Sequence, residues 1–199
     1  MPDTLDSILD NILNIYSAYT QDPQYVYKKC RDDYIVILKK PSDIITNENR
    51  KSIKNPLYAK FRADKLDVVL IFNTIKPTNT VTIAYSIYDC EFKYEVGKQV
   101  NNTYNTNNEV ICGQGIHYFK TIKAAFYYEI STNVLTNHVG RYVNYRDNGN
   151  IHYFIEYDDM LTYWMREWDE NGNKTDIYYY KNKIITTNEH HYKNGIEVM

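Results

Sequence analysis

Three Asn-Gly steps at equal spacing constrain this chain more than any other feature. Gly149, Gly172 and Gly195 each follow an asparagine and lie 23 residues apart. Tyr145 and Trp168 stand four positions before the first two glycines, and Tyr192 stands three before the third. Between the steps run aromatic and β-branched stretches such as "IHYFIEY" and "DIYYYK". Asn-Gly between such runs is the strongest short hairpin signal, because a type I′ turn needs positive φ at both central positions. One hairpin cannot bury its own face, so units of this kind must stack on their neighbours. The spacing predicts an antiparallel β-hairpin repeat meander of period 23 over residues 140–199, with Gly149, Gly172 and Gly195 as its structural turns.

Upstream the pattern is mixed. In "DTLDSILDNILNIYSAY", Leu5, Ile8, Leu9, Ile12, Leu13 and Tyr16 recur at helical spacing, with Asp3 or Thr4 as cap and Pro23 beyond the end. Strand-like runs follow at 34–38, 66–72, 80–88 and 91–96, separated by polar loops. "GIHYF" predicts a further strand and "KTIKAAFYYEIS" a short helix on which Ala124, Ala125 and Tyr128 share a face. The expected fold class is α+β. It comprises an N-terminal helix plus linker (1–56), a mixed α+β domain (57–139) and the hairpin repeats (140–199).

Composition narrows the partners. The net charge is −2, and residues 140–199 hold seven basic against ten acidic side chains. No basic run tracks a phosphate backbone, so nucleic acid is not an expected partner. No apolar run reaches the roughly 18–20 residues of a membrane span, and "MPDTLDS" lacks a signal-peptide layout. Cys30, Cys90 and Cys112 show no close pairing, which predicts reduced thiols and a protein that is not secreted. The 22 tyrosines sit beside many asparagines and isoleucines, a mix that follows from A/T-rich codons.

The tail segments "YRDNGNIHYFIEYDD", "WDENGNK" and "HYKNGIEV" resemble MORN-variant repeats. The middle resembles an uncharacterised family abundant in mimivirus-type giant viruses. In that family a Phe-x-Tyr-x-x-Gly segment precedes a Cys-x-x-Gly-Ile-His-x-Phe segment and an Ala-x-x-Tyr helix. The positions here are Phe92, Tyr94 and Gly97, then Cys112, Gly115, Ile116, His117 and Phe119, then Ala125 and Tyr128. The resemblance covers residues 57–198 and departs in having barely three repeats. It implies a giant-virus source, a place in host cytoplasm or virion, and no known activity. MORN-type repeats imply protein–protein contact and, in some proteins, contact with lipid headgroups. The net negative tail disfavours the lipid option.

"GQGIHYFKTIKAAFYY" is also similar to the nicotinamide-clasping segment of poly-ADP-ribosyltransferases. On that resemblance His117 replaces the stacking tyrosine and Tyr118 or Phe119 stacks on the ring, but the upstream histidine of that pattern is absent; on the arginine-type pattern Arg62 takes its place. The Ser-Thr-Ser strand and Glu-x-Glu pair of the arginine-type transferases are missing. Cys112 and His117, even with Cys90, lack the second ligand pair of a structural zinc site. His190 and His191 are adjacent on a predicted strand and so point to opposite faces. The Asp158-Asp159 and Asp169-Glu170 pairs read as solvated turn residues. No phosphate loop, nucleophile elbow or metalloprotease helix is present.

The sequence therefore predicts a non-enzymatic interaction or scaffolding module that needs no cofactor or metal and has no assigned catalytic residue. Its binding surface comprises Tyr153, Tyr163, Trp164, Trp168, Tyr178 and Tyr180, with self-association through the repeat edge as one outcome. The alternatives are an ADP-ribosyltransferase-like or NAD-binding domain centred on Gly113–Tyr128, and a structural virion component.

Overall fold

The computed structural model describes residues 4–131, 134, 139–157, 162–181, 184–193 and 196–198. Helix α1 (Leu5–Ile15) opens on a reciprocal cap. The Ser7 amide donates to the Thr4 hydroxyl at 3.1 Å, and the Thr4 amide donates to the Ser7 hydroxyl at 2.9 Å. Leu5, Ile8, Leu9 and Ile12 bury the stripe that their spacing predicts. A single turn, α2 (Ser17–Thr20), follows.

The body is one six-stranded antiparallel sheet. Its spatial order is β3 (Lys60–Ala63), β8 (Ile116–Phe119), β1 (Tyr25–Lys29), β2 (Tyr34–Lys39), β4 (Lys65–Asn73) and β7 (Gln99–Asn101). The two strands from before residue 56, β1 and β2, thus lie at its centre, flanked on each side by strands from after it. β5 (Ile83–Tyr85) pairs only with β6 (Lys93–Glu95). Strand alternation sorts the side chains. Ile35, Ile37 and Phe72 face α1 and the short helix α3 (Ile122–Tyr127). Val36, Leu38 and Ile71 face the opposite way, where Phe61, Ile116 and Tyr118 join them.

The α+β expectation is corrected. The protein is mostly antiparallel β, about 40% strand against 13% helix, and helices α1, α2 and α3 have 11, 4 and 6 residues. Segment 120–131 yields only the six residues of α3, because Tyr128 turns extended (φ −71, ψ 124) and Glu129 sits at φ 47. Local propensity favoured a longer helix there, and tertiary packing stopped it.

Beyond α3, β9 (Gly140–Tyr145), β10 (Ile151–Tyr157), β11 (Tyr163–Trp168), β12 (Lys174–Lys181), β13 (Ile184–Lys193) and β14 (Ile196–Val198) lie in chain order in a second antiparallel sheet. Its two described Asn-Gly turns are not type I′. Gly149 (φ 90) and Gly172 (φ 88) are at positive φ, whereas Asn148 and Asn171 are not. The Gly149 amide donates to the Arg146 carbonyl and the Arg146 amide to the Asn150 carbonyl, each at 2.8 Å. This is a three-residue loop in which glycine alone supplies the left-handed step, the type I plus bulge solution. Asn194 and Gly195 lie outside the described residues, as do Asp158 and Asp159.

Successive turns bond to one another. Arg146 Nη2 donates to the Trp168 carbonyl at 2.7 Å, and Asn150 Nδ2 to the Glu170 carbonyl at 3.0 Å. The first turn is also keyed into the body. The Lys54 and Asn55 amides donate to the Asn148 carbonyl, and the Lys60 amide donates to the Asp147 carbonyl. Tyr58 stacks on Tyr145 at 4.2 Å. Tyr142, Val143 and Ile155 complete the core that α1, α3 and the first sheet share. No helix among the described residues is long and apolar enough to cross a membrane.

Candidate functional site

Residue Arg62, read from the sequence as a ligand contact, is fully buried and already engaged. Its Nε donates to the Val110 carbonyl at 2.9 Å, Nη1 to the carbonyls of Asn105 (2.6 Å) and Gln114 (3.0 Å), and Nη2 to that of Asn107 (2.5 Å). The guanidinium also lies over the Tyr104 ring, 4.7 Å from its centroid. A rigid fork of donors suits this task, because one side chain satisfies four backbone acceptors of an irregular loop. The Asn-rich stretch from Asn105 to Gln114 is thereby wrapped around one cation. Gly115 follows at φ 140, and a Cβ there would come within 3.0 Å of the Ala63 carbonyl, so the turn into β8 requires glycine.

From this turn β8 carries His117 and Phe119 into a cavity of about 490 Å³. Pairing sets Arg62 opposite His117, but only His117 lines the cavity. Tyr118 alternates to the other side, is fully buried and donates to Glu48 Oε1 at 2.7 Å. Of the four residues proposed for a nicotinamide site, the fold brings together two, His117 and Phe119.

The remaining walls come from distant segments. β1 contributes Lys28, β3 contributes Lys60, and the end of α3 contributes Tyr128, whose ring lies 5.0 Å from that of Phe119. The segment between β5 and β6 closes one side with Tyr88 and Phe92, and β6 adds Tyr94. That segment is tied down where Arg31 donates through its amide to the Tyr85 carbonyl and through Nε to the Ser86 carbonyl, both at 3.0 Å. The Tyr88 hydroxyl meets the Tyr128 hydroxyl at 3.0 Å and donates to Glu129 Oε1 at 2.8 Å, although Tyr88 is 71% exposed. A latch of two hydroxyls and a carboxylate thus links the β5–β6 segment to the residues after α3.

Charge is distributed unevenly in this space. Burial, then Lys28 and Lys60, push His117 down to about 4, so its ring is neutral at physiological pH. His117 Nε2 lies 3.3 Å from the Ile111 carbonyl and donates to it in the neutral Nε2–H tautomer. Lys60 pairs with Asp147 at 2.8 Å and lies 3.6 Å from Cys112 Sγ. Burial works against its charge, but the Asp147 carboxylate and Cys112 outweigh this and hold it above the ordinary lysine range. Asp147 belongs to the first meander turn, so the repeat sheet supplies one counter-charge at the cavity wall. Among the described residues no group of three or more His, Cys, Asp or Glu side chains is arranged to hold a metal ion.

The proposed aromatic surface of the meander is not one patch. Register places Tyr153, Tyr163, Tyr178 and Tyr180 on one face, and Trp164 and Trp168 on the other. Tyr153 and Tyr163 pack against the core. The ladder runs on from Tyr163 to Tyr180, stacked at 4.5 Å, and then to Tyr178. On the opposite face Trp164 meets Tyr179 at 4.7 Å.

Sequence reasoning missed Lys28, Lys60, Tyr88 and Asp147. No local pattern marks them, because tertiary contacts between distant strands, a loop and a turn bring them together. The motif Cys-x-x-Gly-Ile-His-x-Phe does point to the cavity, since Cys112, Gly115, Ile116, His117 and Phe119 all line it.

Residues 16–125 match a family of unknown function, DUF5758. The chain belongs to that family. The matched stretch includes the body sheet and the cavity residues Lys28, Lys60, His117 and Phe119, and it ends before Tyr128 and the meander. No curated protein and no solved structure matches the chain.

Proposed function

We propose that the protein binds a small molecule bearing a planar ring, of the nucleotide type, in the cavity beside His117. The observation that carries this reading is the arrangement of Phe119, Tyr128, Phe92 and Tyr94 around a space of about 490 Å³ with a neutral imidazole on its wall. Cavities of this size, mostly apolar with a few polar groups, are the usual form of small-molecule sites. The likeness of Gly113–Tyr128 to a nicotinamide-clasping segment makes NAD the first probe. The reading is of binding rather than ADP-ribosyl transfer, because Arg62 is committed to four carbonyl groups.

Calorimetry with NAD, adenosine and nicotinamide tests it. Saturable binding that Phe119→Ala weakens supports the reading. No heat and no thermal shift with any of the three overturns it.

A second reading keeps the meander as a protein-interaction platform, as its MORN-like pattern implies. It is favoured by the aromatic ladder continuing past the packed Tyr163 to Tyr180 and Tyr178. On this reading the chain serves a giant virus in the host cytoplasm or the virion, in keeping with its A/T-type composition. Trp164→Ala or Tyr180→Ala then abolishes capture of a viral or host protein from infected cells. Unchanged capture and an unchanged oligomeric state remove the reading.

A further inference from the structure

Three lysines line the cavity, and two have carboxylate partners. Lys29 pairs with Asp33 at 3.0 Å and Lys60 with Asp147 at 2.8 Å. Lys28 differs. Its Nζ donates to the His117 carbonyl at 3.1 Å and lies 5.7 Å from the centroid of the Tyr94 ring. Among the described residues no carboxylate lies within ion-pair distance of it. Its neighbours Cys30 and His117 supply no negative charge. Cys30, whose thiol burial pushes up to about 11, is neutral, and so is His117. Asp89 is the acidic residue of the cavity lining; its Oδ1 accepts from the amides of Glu91 and Phe92 at 3.0 and 3.2 Å, and no ion pair joins it to Lys28. Burial first, and Lys60 in addition, hold Lys28 below the ordinary lysine range. Lys28 is half-buried, and a cation partly withdrawn from water with no counter-charge at contact distance is costly and favours an added anionic partner.

We propose that Lys28 is the anion anchor of the cavity, pairing with a phosphate or carboxylate group on the ligand whose ring lies against Phe119 and Tyr128. This rests on the reading of the cavity as a ligand site and adds the ligand's charge to it. Lys28 and the two rings line the same space, so one molecule can reach both. The ligand class is then a nucleoside phosphate or a ring carboxylic acid rather than a neutral base or nucleoside.

The test compares matched pairs by calorimetry at constant ionic strength, AMP against adenosine and nicotinate against nicotinamide. Wild type should bind the anionic member of at least one pair about tenfold more tightly, as expected for one charge-assisted contact. Which pair shows the gain tells phosphate from carboxylate. Lys28→Met should remove the gain, so that the two members of the pair bind alike, and Lys28→Arg should retain part of it. Equal affinities within both pairs, or a gain that survives in Lys28→Met, overturn the proposal while leaving the ring site intact.

Urea unfolding without ligand, and then with inorganic pyrophosphate, gives a second measure that needs no ring. Lys28→Met should be at least as stable as wild type without an anion, and pyrophosphate should stabilise wild type but not the variant. An identical response of the two proteins to pyrophosphate overturns the anchor even if no nucleoside binds.

Discussion

At the scale of single residues, sequence and structure disagree most usefully over Arg62. Its type and position next to a suggestive motif invited a ligand role, whereas its guanidinium organises a loop. Arg62→Lys should therefore destabilise the protein by about 3 kcal/mol in urea unfolding, because a single ammonium cannot satisfy the four carbonyls that the fork holds. A ligand contact would instead alter affinity and leave stability nearly unchanged.

His117 makes a prediction with a definite sign. Its folded-state value of about 4 lies below the 6.5 of an unperturbed imidazole, so the unfolded chain takes up the proton first as pH falls. The stability it contributes is fully present above about 6.5 and is lost between there and 4. The loss should be on the order of 2 kcal/mol, allowing for partial exposure. His117→Gln should flatten that part of the stability–pH curve. His117 and Phe119 were legible because four consecutive residues of one strand carry them. Lys28 was not, since the register that brings it to His117 spans 89 positions of sequence.

At the scale of elements, the two described meander turns provide an internal comparison. Both glycines sit near φ 90, yet their surroundings differ. A Cβ on Gly172 would meet nothing closer than Asn150 Nδ2 at 3.6 Å, so Gly172→Ala should cost only the left-handed penalty of about 1–2 kcal/mol. On Gly149 the added carbon would fall 1.9 Å from the Asn55 carbonyl oxygen, which is backbone. Gly149→Ala should cost distinctly more, about 3 kcal/mol or above, as the turn is forced out of its seat. Equal losses in thermal or urea unfolding would show that the first turn is not keyed as described. The hairpins and α1 were legible because their signals are local: turn residues, a cap and an apolar period. The turn type was misread because Asn-Gly suits two loop lengths, and hydrogen bonding on both sides of the loop decides between them. Helix content was overestimated because "KTIKAAFYYEIS" has helical spacing but is cut short at Tyr128 and Glu129, where the hydroxyl latch begins.

At the scale of the whole molecule, the two sheets are fastened around one core. α1 and α3 lie in it with one face of the body sheet, and Tyr142, Val143 and Ile155 of β9 and β10 complete it. A chain ending at residue 157 should therefore unfold as one cooperative transition. A chain ending at 139 should lose cooperativity and bind hydrophobic dyes, because it strips that apolar wall and removes the Asp147 partner of Lys60. Circular dichroism and dye fluorescence on the two truncations distinguish these outcomes. The sheet order lay beyond the sequence for a simple reason. Its central strands pair across loops of very different length, and nothing in a strand's own residues names its neighbour.

The way one turn rests on the next has an evolutionary consequence. The second turn bonds to the first through Arg146 and Asn150, and of these two described turns the first enters the body. A duplication or loss of a whole unit in the coding DNA, distal to the first turn, would lengthen or shorten the ladder and leave the cavity as it was. Repeat number can therefore drift between lineages while the matched body stays under its own selection.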